Sequence, residues 1–154
     1  METSQLHDAA TDLIGRDGYG QALSLLSAAL AQNPDPSVYN DRGLVHLASG
    51  FYKPALDDFN KASELRPDFA RAYFNRGMAY RRMNRPEDAV ADFSKAIELQ
   101  NNCAEAYCNR GLAFLSLNQN DKAENDFNTA LSFEKTPKLH FYLGIVYSRK
   151  SETV

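Results

Sequence analysis

With 154 residues, 44% hydrophobic and 24% charged, the chain has the size and balance of about one ordinary water-facing domain. Its formal net charge of −3 gives no reason to expect nucleic acid as a partner. No stretch approaches the run of about 18 apolar residues that a membrane span needs.

The opening METSQLHDAATDLIG lacks a basic end followed by an apolar stretch, so no secretory signal is read and a cytoplasmic location is expected. Charge is uneven: residues 1–35 hold five acidic and one basic side chain, residues 70–103 six basic and four acidic. Two cysteines, Cys103 and Cys108, are too few for a disulfide framework or a zinc site, and read as small half-buried thiols in a reducing compartment.

In chain order, helical spacing first links Leu6, Ala9, Ala10 and Leu13, then Ala22, Leu26 and Ala29. Between them lies a glycine-rich turn, GRDGYG from Gly15 to Gly20. It follows a helical pattern rather than a strand and lacks a Lys-Ser/Thr ending, so it is not read as a phosphate loop. Pro34 separates this pair of helices from the next, in which Tyr39, Gly43 and His46 are followed by Ala55, Phe59 and Ala62. Ser49–Gly50 turns between those two helices and Pro54 marks the start of the second. A third pair places Tyr73, Gly77 and Tyr80 before Ala89, Phe93 and Ala96, with Asn84–Arg85 turning and Pro86 starting the second helix. The fourth repeats this as Tyr107, Gly111 and Phe114, then Ala123, Phe127 and Ala130, around Asn118–Gln119–Asn120. A lone fifth leading helix carries Gly144. No segment reads as a strand.

The glycines Gly43, Gly77, Gly111 and Gly144 are 34, 34 and 33 residues apart, and the nonapeptide AYFNRGMAY returns as AYCNRGLAF. Fixed columns of alanine (Ala22, Ala55, Ala89, Ala123) and of a large apolar residue (Leu26, Phe59, Phe93, Phe127) keep the same interval. Small residues let two helices approach closely, so glycine on one helix is expected against alanine on the other, with Tyr and Phe filling the flanks.

The pattern resembles the tetratricopeptide repeat, through Y-x3-G-x2-Y at Tyr73–Tyr80, A-x3-F-x2-A at Ala89–Ala96 and their echoes. The resemblance implies an all-α fold, a right-handed α-α superhelix of about four helical hairpins plus a C-terminal capping helix. It reads as a single domain over 1–154 with repeats at about 3–35, 36–69, 70–103 and 104–136 and a final helix at about 137–150. One departure repeats: Arg42, Arg76 and Arg110 stand before the glycine, and Asp58, Asp92 and Asp126 sixteen residues later. In the first hairpin both are replaced together, by Ala9 and Leu25. A structural Arg–Asp bridge, within a hairpin or between neighbours, is expected.

In that family the leading helices line a concave groove, which implies a peptide-binding site at Asn40, Asp41, Leu44, Arg71, Phe74, Asn75, Met78, Arg82, Cys108, Asn109, Leu112 and Tyr142. Asparagine amides would hold an extended backbone, apolar neighbours would take side chains, and Arg71 and Arg82 fit an acidic guest. The carboxylate clamp of chaperone-binding relatives is not matched. Its five positions fall on Asn40, Leu44, Asn75, Glu105 and Asn109, or on Phe74, Met78, Asn109, Lys138 and Tyr142, with at most two agreements. His7, His46 and His140 lie in different repeats and no HExxH, GxSxG or Walker loop occurs, so no catalysis, metal or cofactor is expected. The sequence thus reads as a non-catalytic scaffold that binds a peptide segment of another protein. The alternatives are a self-assembling scaffold and the repeat segment of a larger co-chaperone or enzyme.

Overall fold

The computed structural model describes residues 1–14 and 18–152. Gly15, Arg16 and Asp17 of the glycine-rich turn, and Thr153 and Val154, lie outside the described residues. Among the described residues there are nine α-helices and no strand: α1 Thr3–Ile14, α2 Tyr19–Gln32, α3 Pro36–Ala48, α4 Tyr52–Leu65, α5 Ala70–Arg82, α6 Pro86–Leu99, α7 Ala104–Ser116, α8 Asn120–Phe133 and α9 Pro137–Glu152. No helix among them is long and apolar enough to cross a membrane.

Local chemistry sets the boundaries. Asp35 caps α3, its carboxylate accepting from the Ser37 and Val38 amides at 2.7 and 3.3 Å, and Pro36 takes the first helical position, where a missing amide costs little. The turns inside three hairpins share one geometry. Gly50, Asn84 and Asn118 adopt left-handed backbone at φ of 80°, 56° and 57°. The following amides of Phe51, Arg85 and Gln119 reach back five residues to the His46, Tyr80 and Phe114 carbonyls, at 2.8, 2.9 and 2.9 Å. Glycine and asparagine tolerate that backbone best, so these residue types stop the leading helices there.

The chain divides into two compact units, residues 1–79 and 80–154, the division falling within α5. In the first, Leu6, Ala10, Ala22, Leu26, Ala29, Leu30, Val38 and Val45 form one apolar cluster, and Leu47, Ala55, Phe59 and Ala79 another. In the second, Ala123, Phe127 and Ala130 of α8 pack with Leu115 of α7 and Leu139, Leu143 and Val146 of α9.

The close approach of helices differs from the glycine-on-alanine contact suggested by sequence. The glycine faces the phenylalanine ring. A Cβ built on Gly43 would lie 2.6 Å from Phe59 Cε1, and one on Gly111 2.7 Å from Phe127 Cε1. The alanine column is fully buried beside this contact. Gly144 of α9 has no such neighbour among the described residues: nothing lies within 4 Å of the Cβ it would carry.

Two substitutions of the same kind should therefore act in opposite directions. Gly111→Ala must displace the Phe127 ring and should cost about 1–3 kcal/mol. Gly144→Ala meets open space and should gain about 0.5–1 kcal/mol from the better helix former. Urea unfolding of both variants beside wild type reads the signs, and a shared sign would refute the seating argument.

Candidate functional site

Two of the repeated arginines, Arg42 and Arg110, reach their aspartates with both arms of the fork. Arg42 Nε and Nη2 donate to Asp58 at 2.9 and 2.7 Å, and Arg110 donates likewise to Asp126 at 2.8 and 2.8 Å. The third donor extends to the hairpin before: Arg42 Nη1 to Ser27 Oγ at 3.2 Å, Arg110 Nη1 to Ser94 Oγ at 3.0 Å, and Arg76 Nη1 to Asn60 Oδ1 at 2.8 Å. Each guanidinium also lies over the tyrosine three residues earlier, 5.7 Å from Tyr39, 5.3 Å from Tyr73 and 5.6 Å from Tyr107. Hydrogen bonds to the carboxylates raise the pKa of Arg42 and Arg110 against the opposing effect of burial. One side chain thus ties three helices together, and its donors are occupied by protein.

His46 occupies the column of Tyr80 and Phe114, edge-on to Phe51 with ring centroids 6.4 Å apart. Its Nδ1 is buried without a hydrogen-bond partner and its Nε2 is 3.8 Å from Asp58. Burial lowers its pKa below the ordinary 6.5, with Asp58 opposing that and Arg42 adding to it. The ring is accordingly neutral at pH 7.

The twelve groove residues expected from sequence separate by burial. Asn40, Asn75, Cys108 and Asn109 are buried, Asn40 at 0% exposure, and line the interior rather than an open surface. Asn75 Nδ2 donates to Asn40 Oδ1 at 2.8 Å, Asn40 Nδ2 to Asp41 Oδ1 at 3.1 Å, and Asp41 Oδ2 meets His7 Nε2 at 2.7 Å. This string links α1, α3 and α5 within the first unit, so the amides are used between leading helices. Asn109 Nδ2 donates to the Glu105 carbonyl of its own helix. Leu44 and Met78 are half-buried against the Phe59 cluster, and Leu112 and Tyr142 against the Phe127 cluster, where Tyr142 stacks on Phe127 at 5.4 Å. Asp41 and Phe74 are half-buried, while Arg71 and Arg82 are exposed.

Two cations that the groove assignment omitted act on Cys108 in the second unit. Burial pushes the Cys108 thiol up, and Lys138 and Arg81 pull the other way. Arg81 Nε is buried without a hydrogen-bond partner, and Lys138 Nζ lies 5.8 Å from the Tyr142 ring centre. Elsewhere a shallow cleft of 470 Å³ is lined by Arg110, Phe114, Asp121, Lys122, Asn125 and Asp126; there Arg110 is held by Asp126 and Lys122 lies over Phe114.

The architecture is thus one of repeated helical hairpins, joined in the second and fourth by a glycine seat and an arginine fork. A tetratricopeptide repeat family model matches residues 70–103 and 104–136, and a further TPR repeat model matches 47–84, together spanning more than half of the chain. The chain belongs to the tetratricopeptide repeat family, whose fold is that of a protein–protein interaction module. No curated protein matches it significantly. Among solved structures, MamA 41-end from Desulfovibrio magneticus RS-1 is 22% identical, with a TM-score of 0.89, covering 97% of this chain and 85% of that one. TTC0263, a thermophilic TPR protein in Thermus thermophilus, is 25% identical, with a TM-score of 0.77 and coverage of 94% and 81%. The first TPR of Spaghetti (RPAP3), bound to the HSP90 peptide SRMEEVD, is 24% identical, with a TM-score of 0.74 and coverage of 76% and 94%. These likenesses support the all-α TPR superhelix class.

Removing one member of the Arg110–Asp126 pair should be far worse than removing both. Arg110→Ala leaves a buried carboxylate without its counter-ion and should cost about 3–5 kcal/mol. The Arg110→Ala/Asp126→Leu double variant restores the Ala9/Leu25 combination of the first hairpin and should recover most of that loss in thermal unfolding.

A second measurement follows from His46. Its folded pKa is depressed, so its contribution is present above the unfolded value near 6.5 and is lost as pH falls toward the folded value. The stability of His46→Phe relative to wild type should therefore improve steadily from pH 7.5 to 5. A difference that is flat with pH would mean the ring is not held neutral.

Proposed function

We propose that this chain is a non-catalytic recognition module that holds an acidic peptide segment of a partner protein on its leading helices. The observation that carries the reading is the cation pair of the second unit. Arg81 and Lys138 both act on Cys108 beside half-buried Leu112 and Tyr142, and Arg81 retains an unsatisfied Nε. Two cations near one apolar strip in a chain of net charge −3 favour a guest carrying carboxylates next to apolar side chains. Arg82 in this unit, and Arg71 with Phe74 and Met78 in the first, offer the same chemistry on accessible positions. The solved complex of Spaghetti supports the analogy, because the peptide SRMEEVD bound there is rich in acidic residues.

Supporting the non-catalytic part is where the titratable side chains are used: His7 on Asp41, Arg42 on Asp58 and Arg110 on Asp126. The buried asparagines take a smaller part than the sequence suggested. Recognition in this reading rests on long cationic side chains and half-buried apolar ones.

The reading is tested with fluorescent nine-residue peptides that place two or three Asp or Glu beside Leu or Met, measured against neutral amide counterparts. Arg81→Glu/Lys138→Glu should weaken binding of the acidic set by about tenfold or more, and binding should fall with added salt. Equal affinity for the acidic and neutral sets, or for wild type and the charge-reversed variant, would overturn it.

A further inference from the structure

Arg42, Arg66, Arg76, Arg85, Arg110 and Arg149 each donate to an oxygen of the protein. Arg81, near the end of α5, differs. Its Nε is buried and has no hydrogen-bond partner among the described residues. A buried donor left unpaired is costly, and water does not reach this one. An acceptor carried in by a guest would remove that cost.

The surroundings select the acceptor. Lys138, at the start of α9, acts on Cys108 together with Arg81, and its Nζ lies 5.8 Å from the centre of the Tyr142 ring. Tyr142 is held in turn by stacking on Phe127 at 5.4 Å, and with Leu112 it packs against the apolar cluster that contains Cys108. Burial pushes the Cys108 thiol up against the pull of both cations, so the floor beside them is a neutral thiol that repels no anion. Glu105, exposed and one turn earlier on α7, acts on that thiol in the opposite sense to the cations.

A carboxylate matches two cations poorly. Its two oxygens lie in one plane and are filled by a single arginine fork, so a second cation calls for a second acidic side chain, which must itself be ordered. A phosphoryl group on serine places about −1.5 to −2 charges and three acceptor oxygens on one side chain. We propose that Arg81 and Lys138 together hold the phosphoryl group of a phosphoserine in the partner peptide, with an adjacent Leu or Met of that peptide against Leu112 and Tyr142. This rests on the acidic-peptide reading above and names the chemistry of its anion. Glu105 repels a dianion more strongly than it repels a carboxylate, so it limits the phosphoryl contact in particular.

The probe is a fluorescent nine-residue peptide with two Glu beside Leu, one Glu being replaced in turn by Ser and by phosphoserine. Anisotropy titrations of the full-length protein should rank Ser weakest and Glu next, with phosphoserine about tenfold or more tighter than Glu. Arg81→Gln/Lys138→Gln should remove that added factor, and Glu105→Gln should enlarge it by about twofold or more. Circular dichroism confirms that the variants remain folded. Glu binding no tighter than Ser overturns the acidic-peptide reading, and this inference with it. Glu tighter than Ser, with phosphoserine no tighter than Glu, overturns this inference alone. So does a phosphoserine gain that survives Arg81→Gln/Lys138→Gln or that shrinks in Glu105→Gln. The Glu105 arm decides by itself if the double variant does not fold, because that side chain is exposed.

Discussion

A phenylalanine ring laid against a helix backbone that bears no side chain is the contact on which this architecture depends. At Gly43 and Gly111 the ring edge comes closer than any Cβ could tolerate, so the interhelical distance is set by the ring itself. Burying Phe59 or Phe127 completely stabilises by roughly 1.5–3 kcal/mol each. The adjacent residues exploit the same geometry. Arginine directly before the glycine and aspartate directly before the phenylalanine are brought to within fork distance, so an Arg-Gly pair on one helix reads an Asp-Phe pair on the other. Tyrosine three residues before the arginine then backs the guanidinium.

The first hairpin shows that size matching, rather than glycine as such, is the rule. There Ala9-Ala10 replaces Arg-Gly and Leu25-Leu26 replaces Asp-Phe. Ala10 and Leu26 are both fully buried in one cluster, so a smaller guest side chain permits a larger host residue. Loss of the ion pair accompanies the change, because an aspartate without its arginine would be stranded in an apolar contact. The fork fixes alignment in the second and fourth hairpins, whereas in the first an apolar contact of Ala10 with the Leu26 cluster stands in its place.

Much of this is legible from residue spacing. The interval of 34 marks the hairpins, the turn residues mark their boundaries, and the joint appearance of Arg and Asp marks the bridge. The asparagines escape such a reading for a physical reason: helical periodicity assigns a residue to a face but does not say which helix covers that face. Asn40 and Asn75 point toward neighbouring leading helices, and their amides are satisfied there. A signal for this does exist. Asp41, Asn75 and Asn109 stand at intervals of 34, one polar side chain directly before each arginine, and Asp41 meets His7 of the first hairpin. Likewise the choice between alanine and phenylalanine opposite the glycine depends on how far each side chain reaches, which spacing along one helix does not encode.

That polar column bears on what recognition can be. Amides locked into a string between helices are fixed acceptors and donors for one another, and freeing one for a guest would strand its partner in the interior. In the proposed reading a guest is met instead by long cationic side chains, such as those of exposed Arg82 and Lys138. Such groups tolerate variation in the guest backbone and lose strength with ionic screening. In the proposed reading two tasks are separate: short polar residues tie α1, α3 and α5 together, and extended cationic and half-buried apolar residues are left for a partner.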